Sequence, residues 1–326
     1  MTAVLVTGAT GFTGSHLTRR LVQDGRRVVA FVRESSRTDE LRSMGVECRM
    51  VDICDPASVA THFEAFDTVY HIAATFRTEH ADVQEFYRVN VDATRNLLEA
   101  ARRAGAGRFV HCSTVGVQGE IDDPPAREDY RYAPGDHYQE SKLEGEKVAL
   151  RFASEGLNVS IVRPVGIYGP GDRRFLKLFR PIARGRFVMI GDGRTLYHLT
   201  YIDDLVQGIV LAGTHEAASG QVFTIGGARY TTLGELVGLI ADALHVKRPR
   251  ARIPYAPVHA AAVVCEKLGR TFGINPPLYP RRVEFFGKDR AFDITKARTR
   301  LDYAPRVDLA EGLARTAEWY RTERLL

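Results

Sequence analysis

Apolar residues recur along this chain in two alternating rhythms. Short, largely apolar runs stand at 3–6, 28–32, 68–73, 108–112 and 159–162, with a more alternating one at 46–53. Runs of this kind fit strands buried on both faces of a sheet. Between them the apolar positions shift to helical spacing, at 15–23, at 82–103 (Val83, Phe86, Val89, Leu97, Leu98) and at 138–153. Asp55-Pro56 reads as a helix N-cap followed by proline at the first helical position. Strict β/α alternation predicts a doubly wound α/β fold, in which a parallel sheet with right-handed crossovers carries helices on both faces. Ligands of such sheets sit at the carboxyl ends of the strands.

The alternation loosens after Pro164. Arg173, Arg174, Arg180, Arg184 and Arg186 lie among Phe and Leu, followed by a helix after Asp203-Asp204 and a strand-like run at 222–225. Thr232 and Glu235 form a capping-box pattern. Prolines 249, 254, 257, 276, 277 and 280 mark a loop-rich remainder. The stretch 256–265 is too short to cross a bilayer and contains His259, so a packed helix is expected there.

Chemistry enters at the first strand. Thr7-Gly8-Ala9-Thr10-Gly11-Phe12-Thr13-Gly14 follows an apolar run and precedes a helix, the context a dinucleotide-binding turn requires. A glycine lets the backbone approach a pyrophosphate, and the helix N-terminus aims unpaired N–H groups at its charge. Tyr138 and Lys142 stand one helical turn apart on one face. A tyrosine hydroxyl moves protons near neutrality only if its pKa falls below its usual ~10, and a neighbouring cation achieves that.

The 326 residues suffice for one large or two moderate domains. With 44% hydrophobic and 26% charged residues the composition is that of a globular protein. A net charge of +5 favours an anionic small-molecule substrate. There is no interleaved aromatic and basic stripe of the kind that binds single strands, so no nucleic acid is expected. Cys48, Cys54, Cys112 and Cys265 lack CxxC spacing and a nearby His pair; they read as reduced thiols, with no metal. The absence of a secretory signal and of a spanning segment points to a cytoplasmic protein with no membrane partner.

Taken together, TGxxGxxG, His71-Ile72-Ala73-Ala74, Asn90, Ser113-Thr114, Tyr138-x-x-x-Lys142, Arg163-Pro164, Tyr168-Gly169-Pro170 and Phe292-Asp293-Ile294-Thr295-Lys296-Ala297 resemble the extended short-chain dehydrogenase/reductases, the NAD-dependent epimerase/dehydratase family. The resemblance spans nearly the whole chain. It implies a Rossmann NAD(P)-binding domain at 1–165 and 196–226, with a smaller carboxyl-terminal substrate lobe at 166–195 and 227–326. It makes Tyr138 the general acid/base, Lys142 its tuner and a ribose ligand, and Thr114 the hydroxyl that bonds the reacting oxygen; Ser113 is the alternative for that last role. Gly8, Thr10, Gly11, Phe12, Gly14, Asp52, Ile53, Ala73 and Pro164 are the implied cofactor contacts. The family also implies a homodimer formed by the helices near 83–103 and 138–153.

Departures from the pattern narrow the function. Val115 and Gly116 replace the Asp-Glu pair of the dehydratases and cannot move a proton, which argues against dehydration. Val32 occupies the position of the acidic residue of NAD-specific relatives, with Arg33 next to it. Arg33 suits a 2′-phosphate, so NADP is favoured over NAD, and Glu34 is the competing ribose contact. Gly166 replaces an Asn and Tyr197-His198 an Arg-Asp pair common in nucleotide-sugar epimerases. Three readings follow: a nucleotide-sugar epimerase or sugar-type reductase; a 3β-hydroxysteroid, sterol or dihydroflavonol-type dehydrogenase; and a non-catalytic NAD(P) sensor.

Overall fold

A computed structural model describes residues 3–76, 82–272 and 278–326; Pro276 and Pro277 lie outside the described residues. Six strands form in the first half: β1 (Val4–Thr7), β2 (Val28–Val32), β3 (Glu47–Met50), β4 (Thr68–His71), β5 (Arg108–Cys112) and β6 (Val159–Pro164). They are followed by β7 (Gly166–Tyr168), β8 (Met189–Ile190), β9 (Leu196–Tyr197), β10 (Leu199–Tyr201), β11 (Val222–Ile225), β12 (Thr231–Thr232) and β13 (Arg252–Ile253). Seven of them make one parallel sheet in the order β11-β6-β5-β4-β1-β2-β3. The chain reverses direction across the sheet between β1 and β4, which opens a crevice at their carboxyl ends.

Every residue of β1, β2 and β4 is buried, because helices cover both faces, and a separate apolar cluster fills each face. β3 is the exception. It is an edge strand with exposed and half-buried residues, and its Glu47 pairs with Arg27 and Arg49, and Arg49 also with Glu64, charges that blunt an edge against further pairing. The expected strand at 46–53 is therefore shorter. It ends where the Asp52 carboxylate turns back to accept the Cys54 N–H at 2.9 Å.

The periodic stretch 82–103 is helical, but in three parts: Val83–Tyr87, a π-turn at Arg88–Asp92, and Ala93–Ala104. The reason is Asn90. Its amide accepts from Thr75 N–H and donates to Thr75 O and Ser141 Oγ, and Gly145 packs so closely that a Cβ there would lie 2.2 Å from Asn90 O. Wide turns inside helices commonly mark functional sites. The helix at 138–153 forms as His137–Ser154, capped by the Asp136 carboxylate accepting from Gln139 N–H. Asp55 caps Pro56–His62 as expected, accepting from Ala57 and Ser58 N–H.

The remaining strands form three two-stranded sheets, β10-β7, β12-β9 and β13-β8, of which the last two tie residues 189–197 to 231–253. Thr232 caps Leu233–Ala243 as its pattern predicts; Glu235 completes only half of the box, because its carboxylate bonds Arg229 and Thr231 instead. The helix expected at 256–265 forms as Tyr255–Phe272. It buries Ala262 but leaves Val264 and Leu268 exposed, so the expectation of a packed helix holds for one side only.

Candidate active site

The three glycines of the first turn serve different ends. Gly8 adopts φ +71°, and a Cβ on it would lie 2.7 Å from Ala73 N. A Cβ on Gly14 would lie 2.0 Å from Gly8 O, so that glycine lets the helix Phe12–Gln23 press against β1. Gly11 is different. Its nearest obstruction is Gly8 O at 3.3 Å, and it stands exposed at the helix N-cap with no side-chain acceptor on the first N–H groups. A bare backbone at an uncapped helix N-terminus fits a pyrophosphate. Thr10 is exposed beside it, and Phe12 opens the helix with its ring 5.5 Å from His16.

At the other side of the crevice, Lys142 is 2% exposed and donates from Nζ to Cys112 O, the last carbonyl of β5, at 2.6 Å. Burial lowers its pKa. One of three ammonium donors is thus occupied within the protein. Tyr138, one turn earlier, has its ring edge-on to Phe76 at 5.0 Å and to Phe86 at 6.4 Å. Thr114 follows β5 and caps the short turn Val115–Gln118, with Oγ1 accepting Gly116 N–H at 3.1 Å. Its hydroxyl proton is left to donate elsewhere. This turn packs on the first turn of the tyrosine helix, since a Cβ at Gly116 would meet Gln139 at 3.0 Å. Ser113 has no such freedom: it is buried and donates to Glu146 Oε2 at 2.5 Å.

Beneath the lysine lies an uncharged floor. His71 is fully buried, and burial together with the Lys142 charge pushes it down to about 3. The tautomer follows from its partners. Ala73 N–H donates to Thr7 Oγ1, which donates to His71 Nδ1; Thr94 donates to Asn90 O, so His71 Nε2–H donates to Thr94 Oγ1. His111, its register partner on β5, is likewise held far below its ordinary pKa by burial. Both rings are neutral, so neither adds a charge beneath Lys142.

The other expected contacts distribute as follows. Arg33 is exposed just past β2, in a turn where Ser36 N–H donates to Arg33 O and Arg33 N–H to Ser36 Oγ; its guanidinium has no ion pair among the described residues. Asp52 is exposed, 3.9 Å from Arg88, and Ile53 accepts from Asn96 through its carbonyl. Ala73 closes over Gly8, and Pro164 ends β6. Gly166 is a packing glycine, since a Cβ there would lie 2.7 Å from Leu199 Cδ2 and 3.2 Å from His198 O. The Tyr197 ring lies tilted against Phe285 at 5.1 Å, with the Arg290 guanidinium 5.5 Å from its centre. His198 is buried between Phe292 O and Gly227 O.

Two features go beyond what spacing along the chain reveals. Arg174, anchored by the Asp172 carboxylate at 2.7 Å and by Ile167 O, sets its guanidinium 5.7 Å from the Phe12 ring and 5.5 Å from the Phe76 ring. It bridges the glycine turn and the aromatic neighbour of Tyr138. Behind Ser113, Arg163 and Glu146 form a fully buried pair at 2.6 Å, joined by Tyr132 and Glu128 O. The arginine cluster noted in the sequence hinted at the first; nothing local marks the second.

A glycine turn at the switch point of a doubly wound sheet, with a buried lysine and a tyrosine one turn apart on the helix beside the end of β5, is the arrangement of a dinucleotide-binding enzyme. Residues 4–226 match the family model of the NAD dependent epimerase/dehydratase family, and the chain belongs to it. It is 29% identical to the sterol demethylase protein B of Methylococcus capsulatus, over 99% of both chains. It is 32% identical to a dTDP-glucose 4,6-dehydratase of Streptomyces antibioticus, over 98% of this chain and 93% of that one. Among solved structures, a UDP-glucuronic acid 4-epimerase from Bacillus cereus in complex with NAD is similar with a TM-score of 0.77 at 26% identity, over 98% and 99% of the two chains. The chain is an extended short-chain enzyme that uses a nicotinamide dinucleotide.

Proposed function

We propose that this enzyme interconverts a secondary alcohol and its ketone on a sugar carried by a nucleotide diphosphate, as an epimerase or sugar-type reductase. The observation that carries the alcohol–ketone chemistry, common to both readings below, is the placement of Lys142: buried at the end of β5, one turn from Tyr138, with a single donor occupied by Cys112 O. When bound, the nicotinamide supplies or accepts a hydride. As the phenolate, Tyr138 takes the proton of the substrate alcohol, and as the phenol it returns a proton to the oxygen of the ketone as that is reduced. Lys142 stabilises the tyrosinate and binds the cofactor ribose, and Thr114 donates to the reacting oxygen. Val115 and Gly116, in the turn after Thr114, offer no group for an elimination. Arg174, held at the mouth, is a cation suited to a diphosphate.

Exposed and unpaired, Arg33 favours NADP over NAD. The helices Ala93–Ala104 and His137–Ser154 form a homodimer interface, and the segments at 166–195 and 227–326 act as the substrate lobe.

A second reading rests on Gly166 and Tyr197. No room exists at Gly166 for the Asn of the sugar-nucleotide enzymes, and the aromatic contact of Tyr197 with Phe285 replaces an arginine. An apolar alcohol of the 3β-hydroxysterol type suits those changes, and a sterol-acting relative agrees.

The test is Tyr138→Phe, assayed against UDP- and dTDP-sugars and a 3β-hydroxysterol with either dinucleotide. Turnover falls by about 10²–10⁴-fold while dinucleotide affinity is retained. Unchanged turnover would overturn the assignment, and wild-type turnover of the sterol alone would transfer it to the second reading.

A further inference from the structure

The net charge of +5 is the sum of two unlike parts. Residues 247–288 contain 9 Lys and Arg against 2 acidic residues, which leaves 36 basic and 38 acidic residues for all the rest. The whole basic surplus of the chain sits in this segment.

The same segment carries a helix with an apolar stripe that faces outward. In Tyr255–Phe272, residues Pro257, Ala260, Ala261, Val264 and Leu268 fall at i, i+3, i+4, i+7 and i+11, which places them on one side. All five are exposed, Val264 by 56% and Leu268 by 53%, while Ala262 on the opposite side is completely buried. A helix on a globular surface turns an apolar stripe toward the core; this one does so through Tyr255, Val258, Ala262 and Cys265, all buried or partly buried, and carries a second apolar stripe outward. β13 leads into it with Ile253 exposed by 40%. Lys247, Arg250, Arg252 and Lys267 are exposed around it and have no acidic partner among the described residues. Arg248, by contrast, is paired with Asp242 at 2.6 Å.

We propose that this face docks on the surface of an anionic phospholipid bilayer, with Val264 and Leu268 entering the headgroup–acyl boundary and the unpaired cations meeting lipid phosphates. An outward apolar stripe rimmed by Lys and Arg is what an interfacial helix requires. No described helix is long and apolar enough to cross a membrane, so the helix lies on the surface rather than spanning it. This departs from the expectation of no membrane partner, which rested on spanning length, and docking requires none. A second copy of the chain is a poorer occupant, because a two-fold interface would set the two basic segments against each other. The inference stands apart from the substrate assignment.

The test is co-sedimentation of the purified full-length protein with vesicles of phosphatidylcholine alone or mixed with phosphatidylglycerol. Wild type sediments with the mixed vesicles, not with phosphatidylcholine alone, and high salt releases it. In Val264→Glu/Leu268→Glu the vesicle affinity falls at least about tenfold, with dinucleotide binding and melting temperature retained. Arg250→Gln/Arg252→Gln keeps the apolar face and loses the preference for the anionic lipid, which covers the case of a misfolded double Glu variant. Equal sedimentation of wild type and both variants, or none by wild type, overturns the proposal. So does light scattering in which the double Glu variant only converts a dimer to a monomer, which would make the face an interface between copies.

Discussion

Lys142 and Arg163 are two cations buried beside the same helix, and they are held in opposite ways. Lys142 touches one neutral carbonyl, Cys112 O, and burial lowers its pKa. Burial also opposes the charge of Arg163, but the hydrogen bonds and charge of Glu146 outweigh it, so the guanidinium pKa is raised. Nε and Nη2 meet both Glu146 oxygens, Nη1 donates to Glu128 O, and Nη2 also to Tyr132 Oη. One cation has donors left over in a crevice; the other has a partner in every direction. A buried cation with unsatisfied capacity suits a ligand, and a satisfied one suits the fold. Tyr138, Lys142 and Glu146 lie one turn apart in succession, so a single helical stripe passes from chemistry to architecture.

Replacing Lys142 by Met separates the two roles most sharply. Turnover falls by about 10²–10⁴-fold, and dinucleotide affinity weakens, as read by calorimetry. Stability holds, because the lost charge had no carboxylate partner in contact. A collapse in urea stability with turnover per folded molecule intact would show that Lys142 belongs with Arg163 instead.

Glu146→Gln tests the other cation. Breaking a buried pair leaves the guanidinium uncompensated and costs about 3–5 kcal/mol, measured as a shift in the urea midpoint. The folded fraction keeps its dinucleotide affinity. A variant as stable as wild type would mean that Tyr132 and Glu128 O suffice to hold Arg163.

The same contrast explains what the sequence reveals. The glycine turn and the Tyr138–Lys142 pair are local: their spacing along a strand, a turn or one helix carries the geometry, and their place between the strands, with the family resemblance, exposes it. The seven-stranded sheet is legible for the same reason, since buried parallel strands write themselves as apolar runs. The Ser113–Glu146–Arg163–Tyr132 network is not legible. Its members come from a strand end, a helix, a second strand and a loop, and a Glu at a helical position reads equally well as solvated surface. Nor does spacing reveal that the helical run 82–103 contains a π-turn, because the cause is Asn90 reaching across to Thr75 and Ser141. The outward stripe of Tyr255–Phe272 is the instructive miss. Periodicity locates an apolar face but does not say which way it points.

The smallest effect concerns adjacent residues, and it decides where the boundary between the two roles falls. Ser113 and Thr114 sit side by side after β5, and sequence alone leaves either as the hydroxyl that meets substrate. Ser113 donates to Glu146 Oε2, which still receives Arg163 Nε at 3.1 Å. Ser113→Ala therefore removes one charge-assisted bond from a network that remains paired, at about 1–2 kcal/mol, and leaves turnover near wild type. Thr114→Val is the reference: on the proposed function it loses the donor to the reacting oxygen, and turnover drops by about 10²-fold with little change in melting. Measuring both variants by urea titration and steady-state rate places each hydroxyl on one side. If Ser113→Ala lowers turnover as far as Thr114→Val does, the buried network extends into the catalytic step, and the division between the two cations is not sharp at this residue.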